Sequence, residues 1–430
     1  MVIRFIYNLL WPIGLLLFLP GYLVKMFRRG GYREKFGERL GIYDPRLRAL
    51  LYLKKPIWLH AVSVGEVMIA LKLASQIRAL KTDQHFVLTT TTTTGFAFAN
   101  RNAPDWITAM YSPLDFWPIM HRAFQVIRPS KVILVEAEVW PNMVAEAHAR
   151  KIPIALINAR LSPRSERRFR MFRRFVAPTF ALLDLVCVQN PDEVEKWKAL
   201  GVNEARIRHI GSIKYDPESV RIDPKLPREV LTGFGLQNRT VIFGGSTHAG
   251  EEKILGEVFR ALRRDFVDLL LVLAPRHTER TAEVERELKE MEVQIALRSQ
   301  APAINPSLNC LLIDTTGELS HWYAAATLVF VGKSLLAHGG QNPAEAILAG
   351  KPVLFGPHME NFRALADALI QGGGAIQVSS ATELRRATMQ LLANPEEREK
   401  MVNKAREVLE MHRGATARTA QLVIDLTTVV

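Results

Sequence analysis

From about residue 50 onward, short β-rich apolar runs alternate with longer stretches of helical spacing. In the first half, Ile57–His60, His85–Thr89, Lys131–Val135, Ile154–Ile157 and Leu185–Val188 predict strands. In the second half, Val241–Gly244, Leu269–Ala274, Cys310–Ile313, Leu328–Val331 and Pro352–Phe355 predict another set. Alternation of this kind predicts parallel sheets joined by crossover helices. Between the two sets, residues 216–228 carry Pro217, Pro224 and Pro227 amid mixed charges and read as a linker. The expected architecture is α/β, with two Rossmann-like domains, 30–215 and 229–410, facing a central cleft. Residues 411–430 are expected to form a helix that packs back on the first domain.

The beginning of the chain breaks this rhythm. No residue from Phe5 to Val24 is charged, a run long enough to cross a hydrocarbon layer as a helix, although Pro12 and Pro20 would kink it. A cleaved signal peptide is the competing reading, but no small-x-small site follows; Lys25, Arg28 and Arg29 come instead. Residues 1–29 are therefore expected to be a retained membrane-anchor helix. Arg4 stands alone before the run, while Lys25, Arg28, Arg29, Arg33, Lys35 and Arg39 crowd after it. By the positive-inside rule, the body is then expected on the cytoplasmic face.

Composition narrows the partners. The 430 residues hold 56 Lys and Arg against 43 Asp and Glu, a formal net charge of +13, which favours anionic partners. Hydrophobic residues make up 48%, enough to fill two cores. The two cysteines, Cys187 and Cys310, lie in apolar strand-like runs, which speaks against a disulfide framework or a Cys-rich metal site. Seven arginines fall between Arg160 and Arg174, against the single acid Glu166 and beside Phe169, Met171 and Phe172. Such a cationic helix fits a phosphorylated lipid or an anionic bilayer, with Arg160, Arg164, Arg167 and Arg168 on phosphate; a solvated face is the plainer alternative. With no recognition motif in view, nucleic acid is not expected.

Candidate chemistry sits where predicted strands end. In His60-Ala61-Val62-Ser63-Val64-Gly65-Glu66 a strand gives way to a helix that begins with a carboxylate, so Glu66 is a candidate general base or simply a first-turn acid. Glu136 and Glu138 share one side of an extended segment; either is a candidate, and a pair in one site would raise one pKa. Gly211-Ser212-Ile213-Lys214 brings a lysine near the domain boundary, either a surface residue or a counter-charge for a leaving phosphate. In the second half, Gly244-Gly245-Ser246-Thr247-His248 and Ala274-Pro275-Arg276-His277 end strands as phosphate-edge loops would, with Arg276 favoured over either histidine. The segment Gly332 to Glu345 is glycine-rich and feeds a helix near Pro343. It matches neither Gly-x-Gly-x-x-Gly nor a Walker loop, whose leading glycine would fall at Thr327. No Asp-x-Asp pair occurs, so metal-independent transfer is expected.

These motifs in this order resemble the 3-deoxy-D-manno-octulosonic acid (Kdo) transferases of lipopolysaccharide assembly. The resemblance runs through 32–39, Ser63-Val64-Gly65-Glu66, Glu138-Val139-Trp140-Pro141-Asn142, Asn158-Ala159-Arg160-Leu161-Ser162, Gly211 to Lys214, Pro275-Arg276-His277, Gly317-Glu318-Leu319 and Gly339 to Glu345. It implies a GT-B fold and inverting transfer of Kdo from CMP-Kdo to the lipid A precursor, a tetraacyl disaccharide phosphate, at the inner membrane, with no cofactor. It implies Glu66 as general base and Glu136 and Lys214 as transition-state stabilisers. CMP would be held by Pro275, Arg276, Thr316, Gly317, Glu318, Asn342, Pro343, Ala344 and Glu345. Lys333 stands where the family commonly has glycine, and Gln341 where histidine is frequent. The rivals are another GT-B glycosyltransferase using a UDP-sugar and a lipid acceptor, a soluble sugar-nucleotide epimerase, and a non-catalytic binding module.

Overall fold

The computed structural model describes residues 3–12, 14, 35–216 and 222–427. The chain divides into two compact units, Met1–Asp216 with His412–Val430, and Pro217–Met411.

Among the described residues, the first unit is built on seven parallel strands: β1 (Ile57–His60), β2 (Phe86–Thr90), β3 (Ile107–Tyr111), β4 (Lys131–Val135), β5 (Ile154–Ala159), β6 (Leu185–Val188) and β7 (Ile207–His209). Their order is β3-β2-β1-β4-β5-β6-β7, so the chain winds outward from β1 in one direction and then from β4 in the other. Central strands buried on both faces explain the unbroken apolar runs. Trp58 enters one core with Phe124, Leu134 and Trp197. Ile57 and Leu59, on the opposite face, enter another with Leu73, Ile77 and Val423. The C-terminal helix Ala415–Asp425 supplies that last residue and packs on helix Val64–Leu80. Lys131 caps its end, donating to the carbonyls of Val423 and Ile424 at 2.8 Å each.

The second unit repeats the plan with β8 (Thr240–Thr247), β9 (Leu269–Pro275), β10 (Ile295–Leu297), β11 (Cys310–Leu312), β12 (Leu328–Val331), β13 (Val353–Phe355) and β14 (Ile376–Gln377). The order is β10-β11-β9-β8-β12-β13-β14, again all parallel. Part of the stretch read as a linker is helical: Lys225–Gly233 buries Pro227, Val230 and Leu231, an apolar face that the prolines obscured in sequence.

The expected anchor lies mostly outside the described residues. Among the described residues, no helix is long and apolar enough to cross a membrane. Residues 3–12 are helical and turn a polar side to their own unit. Arg4 donates to Asn142 Oδ1 and Glu146 Oε1, both at 3.0 Å, and Tyr7 donates to Asp115 at 3.1 Å. Phe5, Leu9 and Leu10 stay exposed on this helix.

Candidate active site

In doubly wound sheets, ligands bind at the carboxyl edge where the winding reverses. In the first unit that point lies between β1 and β4, and Glu66 and Glu136 follow those two strands. Ser63 caps helix Val64–Leu80 while Glu66, three residues on, folds back over the cap. Ser63 Oγ–H donates to Glu66 Oε1 at 2.7 Å and the Val62 N–H to Oε2 at 2.8 Å. The loop is buttressed by the threonine run, since Thr90 and Thr92 both donate to the Val62 carbonyl, at 3.2 and 2.9 Å. Burial pushes the Glu66 carboxyl up from its ordinary range; its hydrogen bonds oppose this, and the charge of Glu136 adds to it. The carboxylate that folds back over the helix cap is thus also the one that burial holds above its ordinary range.

Glu136 sits at φ 60°, a left-handed conformation that costs a non-glycine residue about 1–2 kcal/mol. Such strain persists only where surrounding structure enforces it. Its Oε2 lies 3.4 Å from Arg160 Nε. Glu138 is pushed up to about 7 by burial and then by the charges of Glu66 and Glu136. Lys214 is not a surface lysine: burial lowers it to about 8, with Glu136 opposing that shift and Arg160 adding to it. The fold therefore gathers Glu66, Glu138, Arg160 and Lys214 around Glu136, each within electrostatic reach of it.

Asn158 positions the lysine turn and was not singled out as a site residue from sequence. It sits at φ 51° where the β5–β6 register shifts. Its Oδ1 accepts from Ser212 Oγ–H at 3.2 Å and from the Ile213 N–H at 3.0 Å. The available signal was an asparagine at a strand end, the residue type that best tolerates left-handed backbone.

Arg160 follows β5 rather than starting a helix, and the remaining arginines divide between helices Pro163–Met171 and Arg173–Phe180. No residue of the first of these is buried, Arg164, Arg167 and Arg168 included. Met171, Phe172 and Phe175 are exposed beside them.

In the second unit the winding reverses between β8 and β12, and the loops after these strands are stitched together by Glu251. Its fully buried carboxylate accepts from the N–H groups of His248 (2.9 Å), Lys333 (2.7 Å), Ser334 (2.9 Å) and Leu335 (2.9 Å). Pro275 ends β9 and Arg276 is exposed just beyond it. Glu318 pairs with Arg298 at 3.2 Å and accepts from Trp322 Nε1–H at 3.2 Å, which leaves Thr316 and Gly317 exposed at the tip of their loop. Asn342 Oδ1 accepts from the Ala344 N–H at 3.1 Å and so sets the start of helix Ala344–Leu348, which carries Glu345 in its first turn.

The Lys333 backbone lies at φ 56°, which explains why glycine suits that position. Lys333→Gly is expected to stabilise the second unit by about 1 kcal/mol, read as a higher denaturation midpoint at unchanged slope. A lower midpoint would show that the lysine side chain repays the strain.

The family profile described as 3-Deoxy-D-manno-octulosonic-acid transferase (kdotransferase) matches residues 34–217. The 3-deoxy-D-manno-octulosonic acid transferase of Haemophilus influenzae is 33% identical over 91% of this chain and 91% of its own length. That of Bordetella pertussis is 34% identical over 93% of each. Among solved structures, UDP-GlcNAc 2-epimerase from Neisseria meningitidis bound to UDP-GlcNAc aligns with a TM-score of 0.59 at 15% identity, covering 86% of this chain and all of that one. At that identity the likeness speaks for the fold alone, a GT-B-like pair of Rossmann-like units. The identity to two full-length relatives, carried along both units, settles the family: the chain belongs to the 3-deoxy-D-manno-octulosonic acid transferases, a family of glycosyltransferases.

Proposed function

We propose that this enzyme moves Kdo from CMP-Kdo, with inversion and without a metal at the reacting carbon, onto the tetraacyl disaccharide phosphate precursor of lipid A. The carrying observation is the cluster of Glu66, Glu136, Glu138 and Lys214 at the switch point of the first sheet. The acceptor hydroxyl passes its proton to Glu66 as its oxygen bonds to the anomeric carbon. The bond from that carbon to the CMP phosphate breaks on the opposite face, and the electron pair leaves with the phosphate. Lys214 meets the developing negative charge, while Glu136, steadied by Arg160, faces the positive charge that builds on the sugar. CMP is held by Pro275 and Arg276, by Thr316, Gly317 and Glu318, and by Asn342 to Glu345.

The acceptor is a lipid, and the surface of the first unit suits one. Arg164, Arg167 and Arg168 beside exposed Met171, Phe172 and Phe175 combine phosphate-seeking cations with apolar groups that enter an interface. Residues 1–29 hold the chain at the inner membrane, with the catalytic body on the cytoplasmic face. Offering CMP-Kdo and UDP-sugars in parallel with a lipid acceptor tests the donor: acceptor-dependent release of CMP is expected, and release of UDP instead would overturn the reading.

The rate should follow a bell in pH. Glu66 must be ionised to take a proton, and because burial raises its pKa the acidic limb lies above the ordinary carboxylate range. Lys214 carries its charge only below about 8, so the rate falls as pH rises through that value. Lys214→Arg keeps the charge and should shift the alkaline limb upward; an unmoved limb would assign it to another group.

A further inference from the structure

On the second unit, the segment after Lys333 presses against residues 358–361. Gly339 (φ 117°) and Gly340 (φ 68°) make this possible: a Cβ on the first would stand 2.7 Å from the Asn361 amide nitrogen, and on the second 2.5 Å from the Met359 sulfur. Two backbone bonds seal the approach, Asn361 N–H to the Gly339 carbonyl and His358 N–H to the Ser334 carbonyl, each 2.9 Å. His338 is thereby brought over His358, ring centroids 4.0 Å apart. The Nδ1 atoms of both rings converge on the same oxygen, Glu360 Oε1, at 3.0 Å from His338 and 3.5 Å from His358. The other oxygen, Oε2, is fixed by the Gly339 N–H at 2.6 Å.

Ligand atoms that surround a zinc ion tetrahedrally at about 2.0–2.2 Å stand about 3.3–3.5 Å from one another. The donor atoms here are already near that spacing, all within 4.8 Å of one another, and among the described residues no other group of three His, Cys, Asp or Glu side chains qualifies. Two imidazole nitrogens and one oxygen suit a borderline transition ion better than calcium or magnesium, which take oxygen. The hydrogen bond to Oε2 is the outer support that orients a ligating carboxylate. We propose that His338, His358 and Glu360 form a three-ligand site for a divalent transition-metal ion of the zinc class. Its fourth position is open to water or an anion, and its effect is to pin the segment leading into Asn342–Glu345 against residues 358–361. The ion takes no part in bond making at the sugar, so the site goes beyond the transfer reaction and does not rest on it.

The test uses the full chain, free of any histidine tag and stripped with a chelator, titrated with Zn(II) and separately with Co(II). One equivalent of each is expected to bind, with visible Co(II) absorption bands and a raised melting temperature in Zn(II). His338 is largely exposed, so His338→Ala should keep the metal-free melting temperature while weakening the metal at least about tenfold. Glu360→Gln and His358→Ala should weaken it similarly, whereas His248→Ala, in the separate His248–His277 pair, should leave it unchanged. Absence of a stoichiometric site, or equal affinity in wild type and His338→Ala, would overturn the proposal. So would loss of the cobalt bands in His248→Ala alone.

Discussion

Glu66→Gln is expected to lower the rate of transfer by about 10²–10⁴-fold, the usual contribution of a positioned general base, while CMP affinity changes less than about twofold. The separation follows from where the groups lie. Glu66 belongs to the first unit, whereas the residues assigned to CMP all belong to the second. The substitution also weakens a helix cap, because the Ser63 hydroxyl and the Val62 N–H both lean on the carboxylate. Loss of a cap costs about 1 kcal/mol, too little to unfold the unit, so melting curves distinguish an inactive enzyme from an unfolded one. Retained turnover in Glu66→Gln would remove it as the base and leave only its capping role. Glu138, raised to about 7, would then be the carboxylate best placed to exchange a proton near neutrality.

The second large effect is structural. Glu251→Ala should destabilise the second unit by at least about 3 kcal/mol, because four backbone N–H groups lose one buried acceptor together. For a unit of this size that is a fall of about 6–12 °C in melting temperature. Since this carboxylate ties the loop after β8 to the segment beginning at Lys333, CMP should no longer stabilise the variant. Unchanged melting, or full stabilisation by CMP, would show that water replaces the carboxylate without loss.

The sequence made the central strands legible and the sheet edges not. β1, β4, β6 and β12 appear with the bounds their apolar runs announce, because strands buried on both faces read as near-continuous apolar runs, with polar residues such as His60 and Lys131 only at their ends. The four strands that escaped, β3, β7, β10 and β14, are the edges of the two sheets. In β7, for instance, Arg208 and His209 face solvent, and no apolar run survives to be read. At the site, Glu66, Glu136 and Lys214 were legible as residue types at strand and domain ends. Their electrostatic coupling was not, because it depends on β1 and β4 lying side by side despite 70 intervening positions in the chain. The same holds for Asn158, whose left-handed backbone is set by a register shift, and for Glu251, whose four partners come from two loops. The ion pair between Arg160 and Glu136 likewise separates that arginine from the cationic helix it precedes in sequence.

The most direct test is the mass of the acceptor after incubation of the enzyme with CMP-Kdo and the tetraacyl disaccharide phosphate. Acceptor heavier by one or more whole Kdo units is expected, with one CMP released for each and no added metal required. Acceptor of unchanged mass, with CMP-Kdo either intact or merely hydrolysed, would contradict it.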